Sequence, residues 1–146
     1  MDDPFNLDRF LSAQSTVYEQ VVDELRAGSK RSHWMWFIFP QMKGLGLSPQ
    51  AIYYGIGSLE EATAYWKHKV LGPRLEECAR LVNRIEGRTI HEIFGSPDDL
   101  KFRSSMTLFG TLLSRSDADS PVFYAALKKY FDGEPDPLTL AMTLLH

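Results

Sequence analysis

The chain of 146 residues has a single cysteine, Cys78. One thiol cannot form an internal disulfide, which excludes a disulfide-built scaffold and accords with a reducing compartment. Long apolar runs are missing too. None exceeds six residues, and one of these, Trp34-Met35-Trp36-Phe37-Ile38-Phe39, stops at Pro40, far short of the roughly twenty residues that cross a bilayer. The four histidines, His33, His68, His91 and His146, are scattered, with no His-Glu-x-x-His and no paired cysteines, so neither a metal nor another cofactor is expected. The opening Met-Asp-Asp-Pro carries acids where a leader would carry bases, and the expectation is a cytoplasmic protein without a membrane partner. An excess of basic charge is likewise absent. Sixteen Lys and Arg against nineteen Asp and Glu give a net charge of -3, which offers no bulk attraction to phosphate and argues against nucleic acid as a partner.

What is present describes an ordinary globular chain: 44% apolar, 24% charged and 12% aromatic residues. Length and composition fit one domain over residues 1–146 with a core large enough to need no staple.

Helix-start chemistry recurs along its length. Ser48-Pro49, Ser96-Pro97, Ser120-Pro121 and Asp136-Pro137 each place an acceptor side chain at an N-cap and a proline at the first helical position, where no backbone donor is lost. Ser58 with Glu61, and Thr89 with Glu92, have capping-box spacing. Apolar residues three and four apart fill the intervals. One stripe runs from Leu7 to Ala27 with Gly28 as its stop, interrupted by Gln14; another runs from Pro73 to Glu86 with Gly87 as its stop. Further helices are predicted from about Pro97 to Ser114, over Val122 to Phe131 and over Pro137 to Leu145.

Ser32 to Phe39 suits either a buried strand or a buried helix; without a strand partner elsewhere, helix is preferred, with Ser32 as its cap. The expected fold is therefore all-α, a compact domain of seven to eight short helices. Ser114 to Ser120, small and polar, reads as a mobile loop tolerant of insertion.

The densest chemistry lies between Lys30 and Gln41, where two cations and an imidazole precede four aromatics and an amide. Trp34, Phe37, Ile38 and Phe39 can pack the core, while His33, Trp36 and Gln41 on a neighbouring face can orient a ligand. On the helix after Pro97, Lys101 and Ser105 are four apart, on one face. They are candidates for ligand contact, or for a Ser-Lys pair if the lysine is desolvated. Gly44-Leu45-Gly46-Leu47-Ser48-Pro49 reads as a structural turn or as an anion-receiving loop, without the glycine or lysine pattern of a nucleotide fingerprint. Cys78 lies on an apolar stripe and reads as core. Glu60-Glu61, Glu76-Glu77 and Asp98-Asp99 read as helix-end or solvent-face charges, and Lys128-Lys129 as cations at a helix end.

Through Ser32-His33-Trp34-Met35-Trp36-Phe37-Ile38-Phe39-Pro40-Gln41 the sequence closely resembles the bacterial family known as domain of unknown function 1810. Gly44-Leu45-Gly46, Ser58-Leu59-Glu60-Glu61-Ala62, Leu71-Gly72-Pro73-Arg74-Leu75, Glu92-Ile93-Phe94-Gly95 and Asp98 through Phe109 resemble its further motifs, in order. The resemblance covers essentially the whole chain and implies a compact all-helical domain. Some relatives carry the label calpastatin, an inhibitor whose active segments are disordered, unlike the ordered chain read here. The resemblance brings no activity and no catalytic residues.

Three function classes follow from the residues. The first is a helical domain binding a small polar or anionic ligand through His33, Trp36, Gln41, Lys101 and Ser105. The second is an enzyme with His33 as general base beside Lys101 or Ser105. The third is a protein-interaction module with exposed tryptophans as anchors.

Overall fold

A computed structural model of the chain describes residues 2–114 and 121–144. Ten helices and no strand occur among them. In chain order they are α1 (Asp8–Ser15), α2 (Tyr18–Arg26), α3 (Met35–Ile38), α4 (Pro49–Tyr54), α5 (Leu59–Lys67), α6 (Leu71–Arg84), α7 (Ile90–Phe94), α8 (Asp98–Ser114), α9 (Val122–Phe131) and α10 (Pro137–Leu144). The fold is all-α, with ten helices among the described residues where seven to eight were expected, the stripe read as one helix over Leu7 to Ala27 being two.

Local capping chemistry sets several starts as read. The Ser48 hydroxyl accepts from the Ala51 N–H at 3.1 Å and opens α4. Thr89 and Glu92 form the full capping box of α7. Asp136 accepts from the backbone and hydroxyl of Thr139 at 2.9 and 2.6 Å, opening α10. Ser58 caps α5 by accepting from the Glu61 N–H, but the Glu61 carboxylate bonds the Gly57 N–H instead of closing the box. The Ser96–Pro97 peptide is cis, and Ser96 makes no capping bond among the described residues; α8 starts at Asp98. Ser120 and most of the loop expected over 114–120 lie outside the described residues.

Two elements differ from the sequence reading, both because of distant partners. The single helix expected over Leu7 to Ala27 divides at Thr16 and Val17 into α1, which packs on α3, and α2, which packs on α6. Gln14, the residue that interrupted the stripe, is buried; its amide donates to the Phe37 carbonyl at 2.7 Å and to the Tyr65 hydroxyl at 3.2 Å. The helix expected over Ser32 to Phe39 is a single turn. Ser32 does not cap it. Its hydroxyl donates to Glu24 at 2.6 Å, and the backbone before α3 is held by the same carboxylate.

The core gathers around α8, which packs against α5, α7, α9 and α10 and touches α3. Phe39 meets Phe102 edge-on at 5.0 Å, Phe94 stacks on Phe102 at 5.1 Å, and Phe10 meets Tyr65 edge-on at 5.0 Å. Such offset and edge-on ring pairs add to the gain from burial. Cys78 is wholly buried, as read.

Glu61 is not a solvent-face charge. It is buried and paired with Arg9 at 2.6 Å. The Arg9 guanidinium also donates to the carbonyls of Phe5, Asn6, Tyr53 and Gly55. It thereby ties the amino-terminal turn to the α4–α5 connection. A planar fork of five donors suits this task in a way a lysine would not.

Candidate functional site

The segment leading into α3 is positioned by Glu24, which sits between Val21 and Leu25 on the buried face of α2. Its carboxylate accepts from the Arg31 and Ser32 N–H groups, the Ser32 hydroxyl, the Trp34 indole and the Gln20 amide. Burial alone would raise this carboxyl, but the bonds from Ser32, Arg31, Trp34 and Gln20 outweigh it and hold it down to about 2. Trp34 is fully enclosed as a result, with its indole N–H donated to Glu24 at 3.0 Å.

Trp36, two residues on, has the opposite environment. Its ring is half-buried, and its Nε1 is buried without a hydrogen-bond partner. Trp36 lines a narrow crevice with Met35 and Phe39 of α3, Gln41, Tyr54 and Gly55 near α4, and Lys101 of α8. The crevice volume is about 10 Å³, room for one water-sized group. Lys101 Nζ lies 5.3 Å from the centre of the Trp36 ring, within cation–π range. The Gln41 side chain makes no hydrogen bond among the described residues. Burial, with help from Tyr53, raises the Tyr54 hydroxyl, which is therefore neutral at ordinary pH.

Asp98 fixes the lysine. It pairs with Lys101 at 3.7 Å and with Lys30 at 2.9 Å, and Lys30 Nζ in turn lies 5.2 Å from the Trp34 ring. Two lysines, each against one tryptophan, thus share one carboxylate of the first turn of α8. Ser105 is one turn further along α8 from Lys101, fully buried, and its hydroxyl has no partner.

Of the five residues singled out from sequence, Trp36, Gln41 and Lys101 meet at the crevice. Ser105 lies buried beyond Lys101, and His33 is exposed and outside the crevice lining. Neither Trp34 nor Trp36 is exposed as an anchor would be; the large exposed apolar residues include Leu47, Leu138 and Leu144. Sequence reasoning missed Glu24 and Tyr54 as parts of this arrangement, whereas the pairing of Lys101 with a neighbouring carboxylate of the Asp98-Asp99 turn was open to it and is met by Asp98. For Glu24 a signal existed, since a carboxylate on the apolar stripe of α2 must find donors.

Residues 4–143 match the family model described as a protein of unknown function, DUF1810. The chain belongs to this family. Its motif from Ser32 to Gln41 is the segment that Glu24 anchors and that forms one wall of the crevice. The sequence matches no curated protein. Among solved structures it is similar to the conserved hypothetical protein Rv1873 from Mycobacterium tuberculosis, with 56% identity and a TM-score of 0.94 over 99% of this chain and 100% of that one. Family and neighbour assign no specific function. No helix among the described residues is long and apolar enough to cross a membrane.

Proposed function

We propose that this member of the DUF1810 family is a cytoplasmic binding domain whose Trp36–Gln41–Lys101 crevice takes the polar or anionic end of a small ligand. The observation that carries this reading is the Trp36 Nε1–H, buried, without an acceptor, beside an ammonium. An unsatisfied buried donor costs about 1–3 kcal/mol, and a ligand oxygen recovers that cost on binding. Lys101 supplies charge and Gln41 a free amide. The crevice holds only one group, so the rest of the ligand extends over the surface, where His33 offers an exposed imidazole on the same segment.

The test is a thermal-shift screen of metabolites ending in carboxylate, phosphate or amide groups, followed by calorimetry. Hits are expected to weaken at least tenfold in Trp36→Phe, which keeps a ring and removes the donor, and in Lys101→Gln, with a smaller loss in His33→Ala. A screen without hits, or hits indifferent to Trp36→Phe, overturns the proposal.

A further inference from the structure

Opposite the core face of α6 lies an open groove of about 560 Å³, lined by the end of α2, the α5–α6 connection and the outer face of α6. The volume is within the range of small-molecule sites. Five permanent cations line it, Arg26, Lys67, Lys69, Arg80 and Arg84, against the carboxylates of Glu76 and Glu77. Both carboxylates are engaged: Glu76 pairs with Arg80 at 2.6 Å, and Glu77 accepts from the Tyr18 hydroxyl. Arg26, Lys67, Lys69 and Arg84 have no ion-pair partner among the described residues. In a chain of net charge -3, this concentration of cations is a local feature and not a property of the surface as a whole.

The cations are spread rather than convergent. From Gly72 to Arg84 the α6 axis covers roughly 18 Å at about 1.5 Å per residue, so no single phosphate can meet all of them. The groove also has an aromatic wall. Trp66 lines it, half-buried, and is braced edge-on against Phe123 at 5.5 Å. Cations along a channel with an aromatic ring beside them are what a base joined to a row of phosphates requires.

We infer that this groove is a second binding site, separate from the Trp36 crevice, for a ligand of nucleotide chemistry: an aromatic base carrying several phosphates, either free or within a single strand. Calorimetry with ATP, with an oligothymidylate and with inorganic tripolyphosphate tests it on the intact chain. Binding of ATP or of the oligonucleotide is expected, weakening as salt rises. Tighter ATP binding assigns the site to a free nucleotide, and tighter oligonucleotide binding to a strand. The exposed double reversal Lys69→Glu with Arg84→Glu should reduce affinity at least tenfold. Neutralising Arg26→Gln with Lys67→Gln should do likewise, with circular dichroism confirming the helical fold. Lys128→Glu, outside the groove, should leave it unchanged. The inference is overturned if neither ligand binds, if the charge variants bind as well as the parent, or if tripolyphosphate binds as tightly as both base-bearing ligands.

Discussion

Glu24 gives the sharpest test of how the segment before α3 is held. The carboxyl has an ordinary value of 4.5 and is held at about 2 in the folded chain. The unfolded chain therefore binds the proton more readily, and the stabilisation is complete above the unfolded value and lost as pH falls from about 4.5 through about 2. At about 1.4 kcal/mol per pH unit the full contribution is on the order of 3 kcal/mol. Glu24→Gln removes the charge and sets an amide NH2 against groups that are themselves donors, so at neutral pH the variant should be less stable by about 3 kcal/mol or more. The assay is urea unfolding followed by tryptophan fluorescence for both proteins across the acid range. Other carboxylates titrate in both, so the difference between the two curves isolates Glu24. That difference should be flat near neutrality and should narrow by about 1.4 kcal/mol by about pH 3.5. A difference that stays constant into acid, or a variant as stable as the parent at neutral pH, refutes the reasoning.

Two further outcomes follow from the packing of α6. A Cβ added at Gly72 would sit 2.1 Å from the Trp66 carbonyl oxygen, which is backbone and cannot step aside. Gly72→Ala should therefore cost about 2 kcal/mol or more and lower Tm by roughly 4–8 °C; calorimetric scanning checks this, and an unchanged Tm contradicts the close approach. Burial pushes the Cys78 thiol up to about 12, so it should stay protonated and unreactive toward a disulfide reagent in the native protein and react on unfolding. Rapid native labelling would contradict that enclosure.

Elements decided within one turn of chain were legible in the sequence. The caps of α4, α7 and α10 each need only residues three apart, and Ser48, Thr89 and Asp136 perform as their spacing indicates. Gly28, with φ of +75°, supplies the left-handed stop after α2. What distant groups decide was not legible. The break between α1 and α2 accompanies the bonding of Gln14 to Phe37 and Tyr65, and the shortness of α3 accompanies the capture of Ser32 and Trp34 by Glu24. The same division applies to the crevice. Trp36 and Lys101 each carry recognisable chemistry, but nothing local says that residues so far apart share one space. Nor does the Asp98-Asp99 pair reveal that only Asp98 joins Lys30 to Lys101, while Asp99 faces His91.

The bonds of Arg9 have a consequence for how the chain opens. One guanidinium holds carbonyls on either side of a long stretch of sequence, together with the Glu61 carboxylate. Freeing either side strands a buried charge, which is far costlier than fraying an ordinary terminus. The first residues and the turn before α5 are therefore expected to exchange their amide hydrogens as one cooperative unit, and removing the residues through Arg9 should loosen a region more than forty positions away.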